Sequence, residues 1–218
     1  MQKLWTDTQA SRLASILPAL LSGGHGGLEA AMHLRDTIRT QKVAIKEADD
    51  ILKLWLSNAF ATDILQLQRI TFESSSGYVL EQIGRGDAVH RIRSLAELKR
   101  RLSNGRRVFA LFHPALPQRV LAFVNIALVP ELAPSMKYID NYTNAVTVEE
   151  DKAKCAIFYS ITSSIPALSG IDLGSRLIKE ASGELIRDHP SLQTFSTLSP
   201  IPGFISWLTS KATPDFLT

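Results

Sequence analysis

The chain has 218 residues, 45% of them hydrophobic, and its 24 basic and 21 acidic side chains give a net charge of +3. This composition supports a packed core in one large domain or two small ones, and the weak positive charge does not indicate nucleic-acid binding. The single cysteine, Cys155, excludes an intrachain disulfide, and no apolar run approaches the ~20 residues that cross a bilayer.

The first 27 residues give the weakest indication of structure or function. Residues 1–22 allow a targeting peptide, but their arginine content is low, and Trp5 and Pro18 fit such a peptide poorly. Residues 23–27 are glycine-rich and predict a flexible break.

The sequence then predicts helices as far as residue 68. Apolar side chains recur at helical spacings from residue 28 to residue 60. The acidic pair Asp49 and Asp50 indicates the start of the second helix of a pair, and residues 63–68 favour a further short helix.

After residue 69 the pattern turns to strands. Residues 70–72 favour β-structure, and Ser94 and Glu97 form a capping box that opens a short helix over residues 95–102. Three strands are predicted at residues 108–112, 120–128 and 155–162. The polar stretch 130–151 is predicted to be an irregular loop.

The last part of the sequence predicts a crossover between two parallel strands. An amphipathic helix is indicated by four apolar residues that step by four, namely Leu173, Leu177, Ala181 and Leu185. Residues 193–198 then form the next strand. Because strand, turn, helix and strand follow one another over residues 155–199, the two strands are expected to run parallel.

The turn before that helix, Ser169-Gly-Ile-Asp-Leu-Gly-Ser175, is a candidate anion site. Its glycines let backbone N–H groups approach a phosphate, and the helix start adds a partial positive charge. The alternative is a plain strand-to-helix turn, and the carboxylate of Asp172 opposes anion binding unless it points away from the ligand.

Ser199 ends the last strand and stands before Pro200-Ile-Pro-Gly203, a rigid bend. Ligands bind beyond the carboxyl ends of strands in crossover sheets, so its hydroxyl is a candidate binding or catalytic group. The alternative is a turn serine before a proline. No Gly-x-Ser-x-Gly elbow surrounds it, which argues against a hydrolase nucleophile.

The segment from residue 91 to residue 107 is strongly basic. Its cations are Arg91, Arg93, Lys99, Arg100, Arg101, Arg106 and Arg107, against the single acid Glu97. It is interpreted either as a solvated helix with its flanks or as a phosphate-binding edge. Nucleic acid is disfavoured, because no aromatic residues interleave with these bases.

The five histidines do not indicate a metal site. None of them pairs with Cys, His or a carboxylate at metal-ligand spacing. His113, which lies between a strand and Pro114, is interpreted as a hydrogen-bonded residue at the strand end.

Several motifs together resemble the malonyl-CoA decarboxylase family. They occupy residues 54–57, 67–72, 87–90, 98–101, 155–161, 173–174 and 198–204. The last of them, Leu198-Ser-Pro-Ile-Pro-Gly-Phe204, is the most specific, and the resemblance covers roughly residues 28–208.

This resemblance implies an α+β fold. A helical domain, residues 1–68 with residues 1–27 as an alternative flexible leader, would precede a truncated acetyltransferase-like (GNAT-like) mixed α/β catalytic domain, residues 69–218. The family converts malonyl-CoA to acetyl-CoA and carbon dioxide in fatty-acid metabolism, without a metal or organic cofactor. The resemblance also implies an intracellular protein, whether mitochondrial, peroxisomal or cytoplasmic.

The resemblance also assigns site residues. Ser169, Gly170, Ile171, Asp172, Leu173, Gly174 and Ser175 would cradle the CoA pyrophosphate. Ser199 would be the catalytic serine that engages the malonyl group. The family's proton-donating histidine lies in an Asn-Phe-His-Leu-like motif downstream of the serine, and this sequence has none. The resemblance therefore predicts a partial chain, or one completed by another polypeptide.

Two further hypotheses stay open. One is a CoA or acyl-CoA binding module without chemistry. The other is an interaction module that forms a homo-oligomer through the helical residues 28–68, with Trp55 and Phe60 as interface anchors or, alternatively, as core residues. A truncated sheet also predicts an unpaired edge and association of the isolated chain.

Overall fold

The computed structural model describes residues 12, 15, 16, 25–40, 46–61, 64–87, 90–144, 149–163 and 165–211. The targeting-peptide alternative rests almost entirely on residues outside these ranges. Within them, no helix is both long and apolar enough to span a membrane.

Seven α-helices and five strands have both ends within the described ranges. The helices are α1 (His25–Thr40), α2 (Lys46–Ala61), α3 (Gly77–Gly86), α4 (Leu95–Arg101), α5 (Met136–Thr143), α6 (Leu173–Asp188) and α7 (Phe204–Lys211). The strands are β1 (Gln66–Ile70), β2 (Arg106–Phe112), β3 (Ala122–Val129), β4 (Cys155–Thr162) and β5 (Thr194–Thr197). The predicted α+β class is confirmed.

The five strands form one sheet in the order β1-β2-β3-β4-β5. Strands β1 to β4 are antiparallel, and β5 pairs in parallel with β4, from Cys155 opposite Thr194 to Phe158 opposite Thr197. Helix α6 connects this parallel pair. The predicted crossover is confirmed.

Strand β4 contains a β-bulge. The pairing with β3 passes from Ser160 opposite Asn125 to Phe158 opposite Ile126, so Tyr159 is the extra residue. A bulge places two consecutive side chains on the same face of a sheet. Here Tyr159 packs beside α5, and the Ser160 hydroxyl bonds to the end of α3, on that same side.

The sheet separates two layers of helices. On one face, α1, α2 and α6 share a hydrophobic cluster with alternate residues of the strands, including Leu52, Val124 and Leu177. On the other face, α3 and α4 cover β1 to β3, and α5 covers the ends of β3 and β4. The division into domains at residue 68 stays a prediction.

Local signals decide where several elements begin. The capping box is confirmed, since the Ser94 hydroxyl accepts from the Glu97 N–H at 3.1 Å and Glu97 accepts from the Arg93 N–H. Helix α6 covers the four residues that step by four, and all of them are buried. Phe60 is buried in the core, as its alternative interpretation held.

Three local predictions are wrong. Residues 66–68 belong to strand β1 instead of a helix, because pairing with β2 satisfies their backbone groups. The stretch 130–151 contains helix α5, which Ser135 caps through its hydroxyl and which buries Ile139. His25 to Gly27 belong to α1 and are not a break, while Gly23 and Gly24 lie outside the described residues.

Candidate functional site

The carboxyl ends of β4 and β5 lie at one edge of the sheet, because the two strands are parallel neighbours. Residues 169–175, which we call the β4–α6 loop, lead from β4 into α6, and Ser199 follows β5. The topology therefore brings both predicted site segments to this carboxyl edge. Ligands of crossover sheets bind beyond such strand ends.

The β4–α6 loop is folded tightly on its own backbone. It follows a 3-10 turn, Pro166–Leu168, whose carbonyl groups accept hydrogen bonds from Ser169 and Ile171 at 3.1 and 3.0 Å. Between them Gly170 adopts φ +78°, a conformation that side chains other than glycine rarely tolerate. A glycine is therefore required at this point of the loop.

The start of α6 is capped and packed against the sheet. The Asp172 carboxylate accepts a hydrogen bond from the Ser175 N–H at 3.1 Å, and this bond holds the pKa of Asp172 below its usual value. A Cβ on Gly174 would lie 3.8 Å from the Ile161 side chain of β4. The first turn of α6 therefore packs directly against β4.

Arg35 of α1 holds the beginning of the loop from the helical side. Its guanidinium donates to the Ala167 carbonyl at 2.6 Å, to the Ser169 carbonyl at 3.0 Å and to the Asp49 carboxylate of α2 at 2.9 Å. Arg35 is only 1% exposed. These charge-assisted hydrogen bonds connect helices α1 and α2 to the start of the loop.

Ser199 lies exposed beyond β5. The N–H of the preceding Leu198 still bonds to the Phe158 carbonyl of β4 at 2.9 Å, so the backbone stays next to β4 up to this point. No residue in the described ranges bonds to the Ser199 hydroxyl. The chain then turns at Gly203, whose φ is +77°, into α7. The hydroxyl is available to a ligand, but no hydrogen bond joins Ser199 to the β4–α6 loop in the described part of the chain.

A buried polar cluster on the other face of the sheet escaped the sequence prediction. The Asp87 carboxylate accepts hydrogen bonds from the Arg101 guanidinium, the Asn125 amide, the Ser160 hydroxyl and the His90 N–H, at 2.8 to 3.1 Å. Its side chain is 0% exposed. The sequence contained one signal of this cluster, because each of two apolar strands carries a polar residue, Asn125 in β3 and Ser160 in β4.

Arg106 makes a second buried cluster beside the first. Its guanidinium donates to the Asp140 carboxylate at 2.6 Å, to the Thr143 hydroxyl at 2.8 Å and to the Tyr159 hydroxyl at 3.1 Å. Burial raises the pKa of Tyr159. Arg101 and Arg106 also lie against the Tyr159 ring, 5.9 and 5.5 Å from its centroid.

Neither interpretation of the basic segment describes all of it. Arg101, Arg106 and Arg107 are buried and bonded to carboxylates, with Arg107 held by Glu150 at 2.7 Å. They therefore form neither a solvated helix face nor a phosphate-binding edge. Arg91, Arg93, Lys99 and Arg100 are exposed or half-exposed, as the first interpretation requires.

The prediction for His113 agrees with the structure. The His113 Nδ1 accepts a hydrogen bond from the Ala115 N–H at 3.0 Å, and its ring lies edge-on to Phe60, with centroids 5.6 Å apart. His113 is thus a hydrogen-bonded residue at the strand end. In the part of the chain that the structure covers, no three His, Cys, Asp or Glu residues are grouped to hold a metal ion.

Comparison with known proteins identifies a family. The sequence model of the malonyl-CoA decarboxylase C-terminal domain matches residues 63–217. The mitochondrial malonyl-CoA decarboxylase of Anser anser anser is 37% identical over 191 residues, which are 84% of this chain and 38% of that protein. The Mus musculus enzyme of the same name is 33% identical and matches 84% of this chain and 39% of that protein.

Solved structures give the same result. The crystal structure of malonyl-CoA decarboxylase from Agrobacterium vitis superposes with a TM-score of 0.82 at 32% identity, covering 94% of this chain and 50% of that one. The Rhodopseudomonas palustris enzyme gives a TM-score of 0.73 at 33% identity, covering 87% of this chain and 47% of that one. The chain spans about two-fifths of the curated relatives and half of the solved structures.

Proposed function

We propose, because the chain belongs to the malonyl-CoA decarboxylase family, that it acts on malonyl-CoA and releases carbon dioxide. In this reaction the bond between the α-carbon and the carboxylate breaks, and its electron pair forms the enolate of acetyl-CoA. A proton is then added to the α-carbon. The reaction is a carbon–carbon lyase step, and in the family's context it serves fatty-acid metabolism.

The observation that supports the proposal most is the position of two segments inside the matched range. The β4–α6 loop and Ser199 both fall within residues 63–217, and both follow the carboxyl ends of paired parallel strands. A CoA thioester is long enough to bridge a phosphate site and an acyl site. One substrate can therefore contact both segments.

We assign the loop to the CoA pyrophosphate. Within the described residues, no group accepts a hydrogen bond from the N–H of Gly170 or of Gly174. Such free N–H groups at a helix start suit phosphate oxygens. The loop comprises Ser169, Gly170, Ile171, Asp172, Leu173, Gly174 and Ser175.

Ser199 is assigned to the malonyl end. Its hydroxyl can donate a hydrogen bond to the carboxylate or to the thioester oxygen, where negative charge develops as the enolate forms. A donor fixed at that oxygen lowers the barrier, because it binds the transition state more strongly than the ground state. The exposure of Ser199 leaves room for the acyl group.

The organisation of the protein belongs to the same proposal. We propose a helical part and a catalytic part, with the predicted boundary at residue 68 moved back to the start of β1 at Gln66, and we propose self-association through the helical part. The named relatives are mitochondrial proteins, which supports an intracellular location. Light scattering tests self-association, and a monomeric mass would contradict it.

The test of the activity is the formation of acetyl-CoA from malonyl-CoA, followed with a coupled assay. We expect Ser199→Ala to lower the rate by about 100-fold, as the loss of one donor to a developing oxyanion does. Ser103→Ala is the matched control, since this exposed serine bonds only to a neighbouring carbonyl group in α4. Equal rates for the wild type and Ser199→Ala would refute the role of Ser199.

A second candidate is a CoA-binding module that performs no chemistry. It is favoured by one observation, namely that no side chain in the described ranges makes a hydrogen bond to the Ser199 hydroxyl, so none is in place to share a proton with it. Calorimetry with CoA separates the candidates, because a binding module takes up CoA without forming acetyl-CoA. Absence of binding at millimolar CoA would refute both.

A further inference from the structure

Helix α2 reaches the β4–α6 loop through Lys53. A Cβ atom on Gly170 would lie 3.1 Å from both the Cε and the Nζ of Lys53, so the lysine stem occupies the space that glycine leaves open. Lys53 is half-buried, and no carboxylate in the described ranges pairs with it. Its ammonium group therefore lies against the loop without a counter-charge.

The carbonyl and N–H groups at the start of the loop differ in their hydrogen-bond partners. Arg35 binds the carbonyl groups of Ala167 and Ser169 from the side of α1. The N–H of Gly170, next in the chain, has no acceptor among the described residues. Arg35 thereby occupies these carbonyl groups, while the Gly170 N–H keeps no protein acceptor in the described ranges and is available for a ligand.

A diphosphate bound at this loop needs a cation in addition to the partial positive charge at the start of α6. The Asp172 carboxylate at the N-cap carries a negative charge that offsets the partial positive charge of α6. The nearby arginines are already paired, Arg35 with Asp49 and Arg176 with Glu180. Among the described residues, two cations without a carboxylate partner lie near the loop, namely Lys53 and the exposed Lys179, which is close enough to lower the pKa of Asp172.

We propose that Lys53 binds the diphosphate of the nucleotide part of CoA, so that helix α2 supplies one wall of the substrate site. This inference rests on the proposed function. The side chain of Lys53 lies against the loop at Gly170, where glycine leaves space for it, whereas Lys179 lies near Asp172. The helical part is then a component of the binding site as well as a support for the sheet.

Calorimetry with two ligands tests the proposal. CoA carries the diphosphate, and pantetheine lacks every phosphate. We expect Lys53→Ala to weaken CoA binding by about 10-fold or more, the usual size of a charge-assisted hydrogen bond, and to leave pantetheine binding unchanged. Lys53→Arg should keep CoA affinity within about 3-fold of the wild type, because the positive charge remains.

Lys137→Ala is the matched control, since Lys137 is exposed on α5 beyond the opposite face of the sheet. Equal CoA affinity of Lys53→Ala and the wild type would overturn the proposal and leave the proposed function intact. So would an equal loss of CoA and pantetheine affinity, which indicates a structural effect, or a loss confined to Lys179→Ala. Absence of CoA binding by the wild type would instead refute the proposed function, and this inference with it.

Discussion

Two groups of cations in this molecule behave in opposite ways. The basic segment, residues 91–107, is conspicuous in the sequence, yet three of its arginines are buried and bonded to Asp87, Asp140 and Glu150. The first two helices are less basic, yet Lys53 reaches the β4–α6 loop with no carboxylate partner in the described ranges. Arg35 also reaches the loop, but it is paired with Asp49 as the buried arginines are with their carboxylates.

The difference shows that the number of charges does not identify a binding surface. A cation that already has a buried carboxylate partner stabilises the fold, because removing it leaves that carboxylate uncompensated. A cation that touches a backbone loop without such a partner can still accept a ligand. The following predictions test this contrast.

The largest effect is expected from Asp87→Ala. The substitution leaves the buried Arg101 without one of its carboxylates and removes the acceptor of Asn125 and Ser160. We expect a loss of about 3–5 kcal/mol in the free energy of unfolding, measured by urea denaturation. The exposed pair Glu81–Arg85 provides the control, since Glu81→Ala should cost less than about 1 kcal/mol. Similar losses for both variants would break the contrast.

A smaller effect on stability is expected from Arg35→Met, together with an effect on binding. The substitution removes the closer donor of the Asp49 carboxylate, leaving it only the longer bond from Arg39, and it takes the Arg35 donor from two carbonyl groups of the loop region, which should cost about 2–3 kcal/mol. CoA affinity should fall as well, because the loop backbone is no longer oriented. Arg39→Ala is the control, since Arg39 is exposed and only 3.4 Å from Asp49. A destabilised variant with wild-type CoA affinity would show that Arg35 has no part in binding.

Acid should weaken the fold through Glu150. Burial by itself raises the pKa of this carboxylate, but hydrogen bonds from Arg107 and from the Gly105 N–H outweigh burial and hold the pKa below 4.5. A group whose pKa is lowered in the folded state adds stability above 4.5, and this stability is lost as the pH falls through the folded-state value. The free energy of unfolding measured from pH 6 to 3 should therefore decrease, and Glu150→Gln should flatten the decrease. An unchanged slope would contradict this assignment.

The smallest effect is expected from alanine at two glycines. Gly170 and Gly203 have φ of +78° and +77°, so alanine strains either position by about 1 kcal/mol. At Gly170 the new methyl group meets Lys53, whereas no atom of the described residues lies within 4 Å of a methyl group at Gly203. Gly170→Ala should therefore lower CoA affinity beyond the change seen with Gly203→Ala. Equal affinities would argue against a ligand role for Lys53.

Strong periodic patterns in the sequence predicted most of the sheet. The apolar runs that became β2, β3 and β4 are buried on both faces, so their composition alone marks them. The four apolar residues of α6 fixed the crossover and, with it, the edge at which the loop and Ser199 lie. The candidate site follows from this topology and from the family resemblance.

Elements defined by tertiary pairing were harder to predict. Strand β1 is an edge strand with only Ile70 fully buried, so its pattern resembles that of a short helix until β2 pairs with it. Helix α5 is short and amphipathic, and its signal was the Ser135 cap. Helices α3 and α7 were also missed, whereas the shorter α4 was predicted because its capping box marks its start.

The roles of Arg35 and Lys53 could not be predicted from local sequence. Arg35 stands on the buried side of α1, three residues after Met32 and three before Ile38, and an arginine in that position indicates a buried partner. The partner, however, is the backbone of residues 167 and 169, more than a hundred residues away. Only the folded chain brings these groups together.

The extra residue in β4 has a consequence for how this strand can change. With Tyr159 present, Ser160 reaches Asp87 and Ile161 joins the core on the opposite side. Deleting Tyr159 would restore the ordinary alternation and leave Ser160 facing Asp87 and Ile161 in the core, but it would take a hydrogen-bond partner and an aromatic ring from the buried Arg106. We therefore expect insertions and deletions to be tolerated in the hairpin between β2 and β3 long before they are tolerated here.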